Sequence, residues 1–304
     1  MYCDSLALSI GGYNMTKKIY RWEFTIPALA FYSVFFILPV MLGFYYSLTN
    51  WNAIKLSGEV VKFVGFDNFK KILTTPELRT VILRTIYFGF VTTIFKNVIG
   101  FGLALMVNKG LKSRHALRSV FFLPSMLSPL IIGLIFGSLF MTDGFVNQLL
   151  SSIGLQNLVT PWLTTKSTAL GTTMFVEIWR QTGFNMVIYL AGLQLIDQGF
   201  YEAASIDGAS PWQQLRFITI PRIMPSFAIN LLLNLSQGLK AFDIIFVLTG
   251  GGPAGSTELI NTMVFREYGK KLFGMSTAYG VVVFIITALF GLLAMKITSK
   301  DRDA

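Results

Sequence analysis

The stretch Tyr201–Pro225, YEAASIDGASPWQQLRFITIPRIMP, decides how this chain is organised. It mixes charge with strong helix signals, and long apolar runs flank it on both sides. Phe200–Asp207 reads as a short helix, with Asp197 placed to cap it and Gly208 as its left-handed stop. Ser210 then caps a second helix, Pro211 takes its first position and Gln213 completes a capping box. That helix runs through Trp212, Leu215 and Phe217. It is expected to end near Pro221, with Pro225 close to the start of the next apolar run.

Working outward, the apolar runs dominate. Of 304 residues, 53% are hydrophobic and only 13% charged, against about 25% charge in an ordinary soluble domain. Six runs are long enough to cross the hydrocarbon layer as helices: Phe24–Leu48, Thr80–Asn108, Leu117–Phe140, Thr168–Ile196, Ile223–Leu248 and Thr277–Lys296. None alternates with the period of two that a membrane barrel needs, so the expected fold is an all-α membrane protein of six transmembrane helices. The polar helix-turn-helix lies between the fourth and fifth spans. The short loop Lys109–Arg118, KGLKSRHALR, is rich in cations, and short basic loops stay inside. This orientation puts Tyr201–Pro225 and both termini in the cytoplasm. The expected division is a cytoplasmic tail over 1–23, a membrane domain over 24–297 with the loop 197–222, and a cytoplasmic tail over 298–304. Met15, at the head of MTKKIYRWEF, is a candidate physiological start.

Composition excludes several functions. The formal charge of +10 comes without a basic arm or basic helix, so the cations are read as orienting the chain in lipid rather than binding nucleic acid. A single Cys3 and a single His115 leave no disulfide framework and no multi-histidine metal site. There is no Gly-x-x-x-x-Gly-Lys-Ser/Thr loop to cradle ATP, and no Gly-x-Ser-x-Gly elbow. The chain is expected to be non-catalytic and to bind no cofactor.

Polar groups inside the spans need a reason, because each ionisable group costs about 2.5–3.5 kcal/mol on insertion scales. Glu177, Arg180, Gln181 and Phe184 fall on one face of the fourth span at steps of three, four and seven. Asn234, Gln237, Gly238 and Ala241 repeat that spacing in the fifth, with Lys240 and Asp243 nearby. The two stripes can line a shared aqueous path. Carboxylate, amide and guanidinium would meet sugar hydroxyls, Phe184 would form a flat wall, and Gly238 and Ala241 would leave room. The alternative is structural: Glu177 pairs with Arg180, and the amides join helices. Lys96 is read as snorkelling or facing a partner subunit, without a transport role. Pro124, Met126 and Pro129 read as a kinked packing helix.

Glu202-Ala203-Ala204, Asp207-Gly208-Ala209 and Ile218-Thr219-Ile220-Pro221 resemble the EAA motif of permease subunits of bacterial ABC importers. VGFDNF at Val64–Phe69 and LTGGGPAGST at Leu248–Thr257 resemble the carbohydrate branch, nearest the maltose-like and glycerol-phosphate-like systems. The resemblance implies that Tyr201, Glu202, Ala203, Ala204, Asp207, Gly208, Ala209 and Pro221 couple the chain to a cytoplasmic ATPase. It implies substrate-lining positions on the fourth and fifth spans. It also implies partners: a second homologous permease subunit, two ATPase subunits carrying ATP and Mg, and an extracytoplasmic solute-binding protein. The setting would be a bacterial cytoplasmic membrane and the cargo a sugar. Arg180 and Lys240 either balance Glu177 and Asp243 or attract an anionic sugar, and a neutral oligosaccharide is the favoured cargo. An importer of another solute is one competing reading. An ion-coupled secondary transporter is another, but such a transporter usually carries inverted repeats, and none is evident here.

Overall fold

The computed structural model describes residues 25–53, 61–108 and 114–299. The tail with Met15, the loop residues 109–113 and the C-terminal residues 300–304 lie outside the described residues. Among the described residues the chain is helical, with one isolated antiparallel bridge between Thr49 and Phe63. Helix α1 spans Ile26–Ser47 and contains a wide π turn at Ser33–Ile37. Next come α2 (Asp67–Thr74), α3 (Pro76–Asn108), α4 (Arg114–Met126), α5 (Pro129–Leu139) and α6 (Phe145–Ser152). The long α7 (Lys166–Gln194) leads to α8 (Gln198–Ile206), and α9 then runs from Pro211 to Leu239. Three helices close the chain: α10 (Asp243–Thr249), α11 (Ile260–Gly269) and α12 (Phe273–Ser299).

Four of these helices, α1, α3, α9 and α12, are long and apolar enough to cross a membrane, and the bent pair α4–α5 makes up to five. The 29-residue α7 has the length but carries Glu177 and Arg180. It sits against α3, α4 and α9, so its polar groups are covered by protein. In lipid that is where such groups must be.

Three expected boundaries move, each for a local reason. The third span, Leu117–Phe140, is two helices bent by 96° rather than one kinked rod. Proline disfavours the helical region in the residue before it, and Ser128 (φ −59°, ψ 136°) is extended, with its hydroxyl accepting from the Leu130 N–H at 3.3 Å. Pro221 does not end the second helix of the polar loop. A π turn at Leu215–Thr219 widens the backbone just before it, and the helix continues through Pro221 and Pro225 to Leu239. The fifth span does not reach Leu248 as one helix: it stops at Leu239 and restarts at Asp243.

The bundle has two apolar layers along α3 and α7. Phe88, Met174, Val176, Ile132 and Ile245 pack at one level. Ala104, Met186, Tyr189, Leu193 and Ile223 pack at another. Lys96 lies midway along α3 between Phe88 and Ala104, about 12 Å from each at 1.5 Å per residue. The buried Lys96 and Glu177 share this middle level.

Candidate functional site

The middle level is built around Glu177. Its carboxylate accepts from Lys96 Nζ through Oε1 at 2.8 Å, and from Arg180 Nη2 and Nε through Oε2 at 2.9 and 3.2 Å. Lys96 is wholly buried and Glu177 nearly so. With its amide oxygen turned to the guanidinium, Gln181 accepts from Arg180 Nη1 and Nη2, both at 3.0 Å. Two cations share one carboxylate, and each carboxylate oxygen is satisfied by a charged donor. Such an arrangement is tolerable at depth only because the groups compensate one another. The expectation that Lys96 snorkels or faces a partner subunit is therefore corrected: it is an internal counter-ion on α3.

A cavity of about 330 Å³ opens beside this cluster. Glu177, Arg180 and Gln181 line it from α7, and Ser236 and Gln237 from α9. Pro129 contributes from the bend between α4 and α5. The segment Lys240–Ile244 supplies five consecutive lining residues. On a continuous helix five successive side chains would point around the whole circumference, about 100° apart. The break between α9 and α10 brings all five residues to the cavity's edge, with Ile244 also packed in the apolar core, and Asn261 Nδ2 donates to the Lys240 carbonyl at 2.6 Å.

The two sequence stripes divide here. Glu177, Arg180, Gln181, Gln237 and Ala241 meet on the cavity wall. Phe184, Asn234 and Gly238 are not on it. Asn234 is buried and exchanges hydrogen bonds with Asn185 of α7, at 2.5 and 3.3 Å. Asn230 Nδ2 donates to the Asn185 carbonyl at 3.3 Å, so α9 and α7 are tied by amides. Gly238 leaves room, but for α3 rather than for a ligand: a Cβ there would lie 2.8 Å from the Cα of Gly89. Close helix approach through small residues is the usual membrane solution. Sequence reasoning left out Phe242, Ser236 and Pro129. It also left Lys96 unpaired, although Glu177 and Asp243 are the only carboxylates in the six predicted spans.

The polar loop forms a stiff elbow. Asp197 Oδ1 caps α8 by accepting from the Gly199 N–H at 2.9 Å. Gly208 turns the chain at φ +76°, and the Ser210–Gln213 capping box starts α9. Tyr201 bonds Thr219 at 2.9 Å, Gln214 Nε2 donates to Ser205 Oγ at 3.0 Å, and the Arg222 guanidinium lies 3.4 Å from the Phe200 ring centroid. These cross-links join α8 to the first turns of α9. Glu202, Ala203, Asp207, Gly208 and Pro221 stay exposed, Tyr201, Ala204 and Ala209 are half-buried, and Ile206 is 87% exposed.

An all-helical membrane protein with a polar cavity between its long helices and a rigid polar elbow at one end has the form of a transport subunit. The chain belongs to the family described as binding-protein-dependent transport system inner membrane component, whose profile matches residues 96–298. It is 33% identical over 297 residues to the trehalose/maltose transport system permease protein MalF of Thermococcus litoralis, covering 95% of this chain and 99% of that one. It is 31% identical over 283 residues to the probable starch degradation products transport system permease protein AmyD of Thermoanaerobacterium thermosulfurigenes, covering 93% and 94%. Among solved structures it is similar to a chain of a bacterial ABC transporter involved in the import of the acidic polysaccharide alginate. There the TM-score is 0.78 at 25% identity, covering 92% of this chain and 94% of that one.

Proposed function

We propose that this chain is a permease subunit of an ATP-driven, binding-protein-dependent sugar importer. One observation carries the reading: Glu177, Arg180, Gln181 and Gln237 converge on one internal cavity between long helices. A site of about 330 Å³ falls within the range of small-molecule pockets, about 300–1,000 Å³. Its donors and acceptors suit a polyhydroxylated cargo. The relatives named for trehalose/maltose and starch degradation products, and the alginate importer, support a sugar or short oligosaccharide.

On this reading the helices form six spans, with α7 shielded as the fourth and α4–α5 as a bent third. Both termini and the elbow lie in the cytoplasm. A second homologous permease completes the pathway, and two ATPase subunits bind ATP and Mg and dock against the elbow around Glu202 and Gly208. An extracytoplasmic binding protein delivers the cargo. The elbow carries the ATPase movement because its cross-links resist bending, and the cavity then alternates its access. Reconstitution of the complex in proteoliposomes tests this. Uptake of maltotriose or trehalose must require ATP inside and the binding protein outside. Uptake driven by a proton gradient without ATP would overturn it.

A further inference from the structure

Glu177 is met by more positive charge than it can balance. Lys96 Nζ takes its Oε1 at 2.8 Å, and Arg180 takes its Oε2 at 2.9 Å. The three groups carry one negative and two positive charges, a surplus of one cation. From the sequence, Arg180 could either balance Glu177 or attract an anion. Lys96 reaches across from α3 and already balances that carboxylate. It does so from behind the wall, being wholly buried and not among the residues that line the cavity. Arg180 does line the cavity, and its side chain is 13% exposed. The surplus charge therefore reaches the cavity through Arg180. The other charged lining groups, Lys240 and Asp243, bring one charge of each sign and cancel in the count.

A cleft with low-dielectric walls focuses the field of the charges that line it. A cargo bearing a carboxylate or phosphate would offset the surplus, and a neutral cargo would leave it standing. We infer that Lys96 is a specificity-determining residue of the pathway. By balancing Glu177 it leaves the charge of Arg180 to the cavity, so a sugar that carries an acidic group passes in preference to its neutral counterpart. Lys96 needs no contact with the cargo to do this. The inference rests on the sugar reading above and narrows it.

The test uses the complete importer in proteoliposomes. One arm receives maltotriose, and the other the same trisaccharide with a glucuronate in place of its terminal glucose. Each is supplied as saturating, loaded binding protein, so that affinity for the binding protein does not enter. The wild type should carry the acid on the order of tenfold faster. Lys96→Met removes one positive charge and should bring the two rates together. Lys96→Arg keeps the charge and should keep the preference. The ratio of the two rates separates this role from a structural one, because a general loss of stability lowers both uptakes alike. Equal rates in the wild type overturn the assignment, and that comparison stands even if neither variant folds. An undiminished preference in Lys96→Met overturns it too, as does a binding protein that takes maltotriose and refuses the acid. A binding protein that takes no sugar of either kind overturns the sugar reading instead.

Discussion

Lys96 of α3 and Glu177 of α7 meet at 2.8 Å in the interior of the bundle, and Arg180 takes the other oxygen of the same carboxylate. The arrangement is asymmetric. Removing Lys96 leaves one cation with one anion; removing Glu177 leaves the buried Lys96 and the cavity-lining Arg180 with none.

That asymmetry predicts unequal costs. Glu177→Gln should destabilise the folded chain by about 3–5 kcal/mol, because an uncompensated charge remains buried. Lys96→Met should cost less, about 1.5–3 kcal/mol, the range for a hydrogen bond to a charged group. The double variant Lys96→Met/Glu177→Gln should be more stable than Glu177→Gln alone. Thermal unfolding of the purified complex in detergent gives the ranking. Equal losses for the two single variants would contradict the shared-carboxylate description.

The amide pair Asn185–Asn234 predicts a different signature. Each side chain donates to the other across α7 and α9, so Asn234→Ala leaves Asn185 short of a partner at a buried interface. Interhelical hydrogen bonds in membrane proteins average about 0.6 kcal/mol, and an orphaned polar group costs about 1–3 kcal/mol. A drop in melting temperature with the relative uptake of different sugars unchanged is expected. Altered selectivity among sugars at unchanged stability would instead place Asn234 in the pathway.

Most of this was legible in the sequence where local chemistry decides the outcome. The Asp197 cap, the Gly208 turn and the Ser210–Gln213 box all form as their spacing requires. Glu177, Arg180 and Gln181 line one cavity because the three share one helix face. Two features were hidden because distant contacts make them. The sequence Lys240-Ala241-Phe242-Asp243 has no proline or glycine to announce the break there, and the Lys240 carbonyl is met by Asn261, 21 residues away. Pro221 has the signature of a helix end, but the π turn before it absorbs the fault. Pairing Lys96 with Glu177 crosses 81 residues, though the scarcity of carboxylates in the spans pointed to it.

The Leu248–Thr257 loop is held to the bundle by Arg84. Its guanidinium Nη1 donates to the carbonyls of Gly255 at 2.6 Å and Glu258 at 3.1 Å, and Glu258 in turn pairs with Arg266. Arg84→Met keeps the aliphatic stem and removes both bonds. The loop should then loosen while the helices stay folded. Faster hydrogen exchange confined to residues 250–258 is the expected result. Protection unchanged there would mean the loop is fixed by its own turns.

Gly208 is the position at which the proposed docking of an ATPase subunit can be tested apart from folding. Its φ of +76° suits glycine, yet a Cβ placed there meets nothing within 4 Å. Any side chain is therefore strained by about 1–2 kcal/mol at most in the isolated chain, and asparagine less, since it tolerates the left-handed region. Gly208→Asp and Gly208→Asn should both reach the membrane with near wild-type melting temperatures. If an ATPase subunit approaches the backbone at this turn, both must interfere with docking, since each fills the open space. Uptake should then fall at least tenfold, with ATP hydrolysis no longer stimulated by the binding protein. Cysteine cross-linking from position 202 to the ATPase subunit reports the docking directly, and should weaken in parallel. Normal uptake by Gly208→Asp would mean that no partner comes close to this turn, and that coupling passes through another surface.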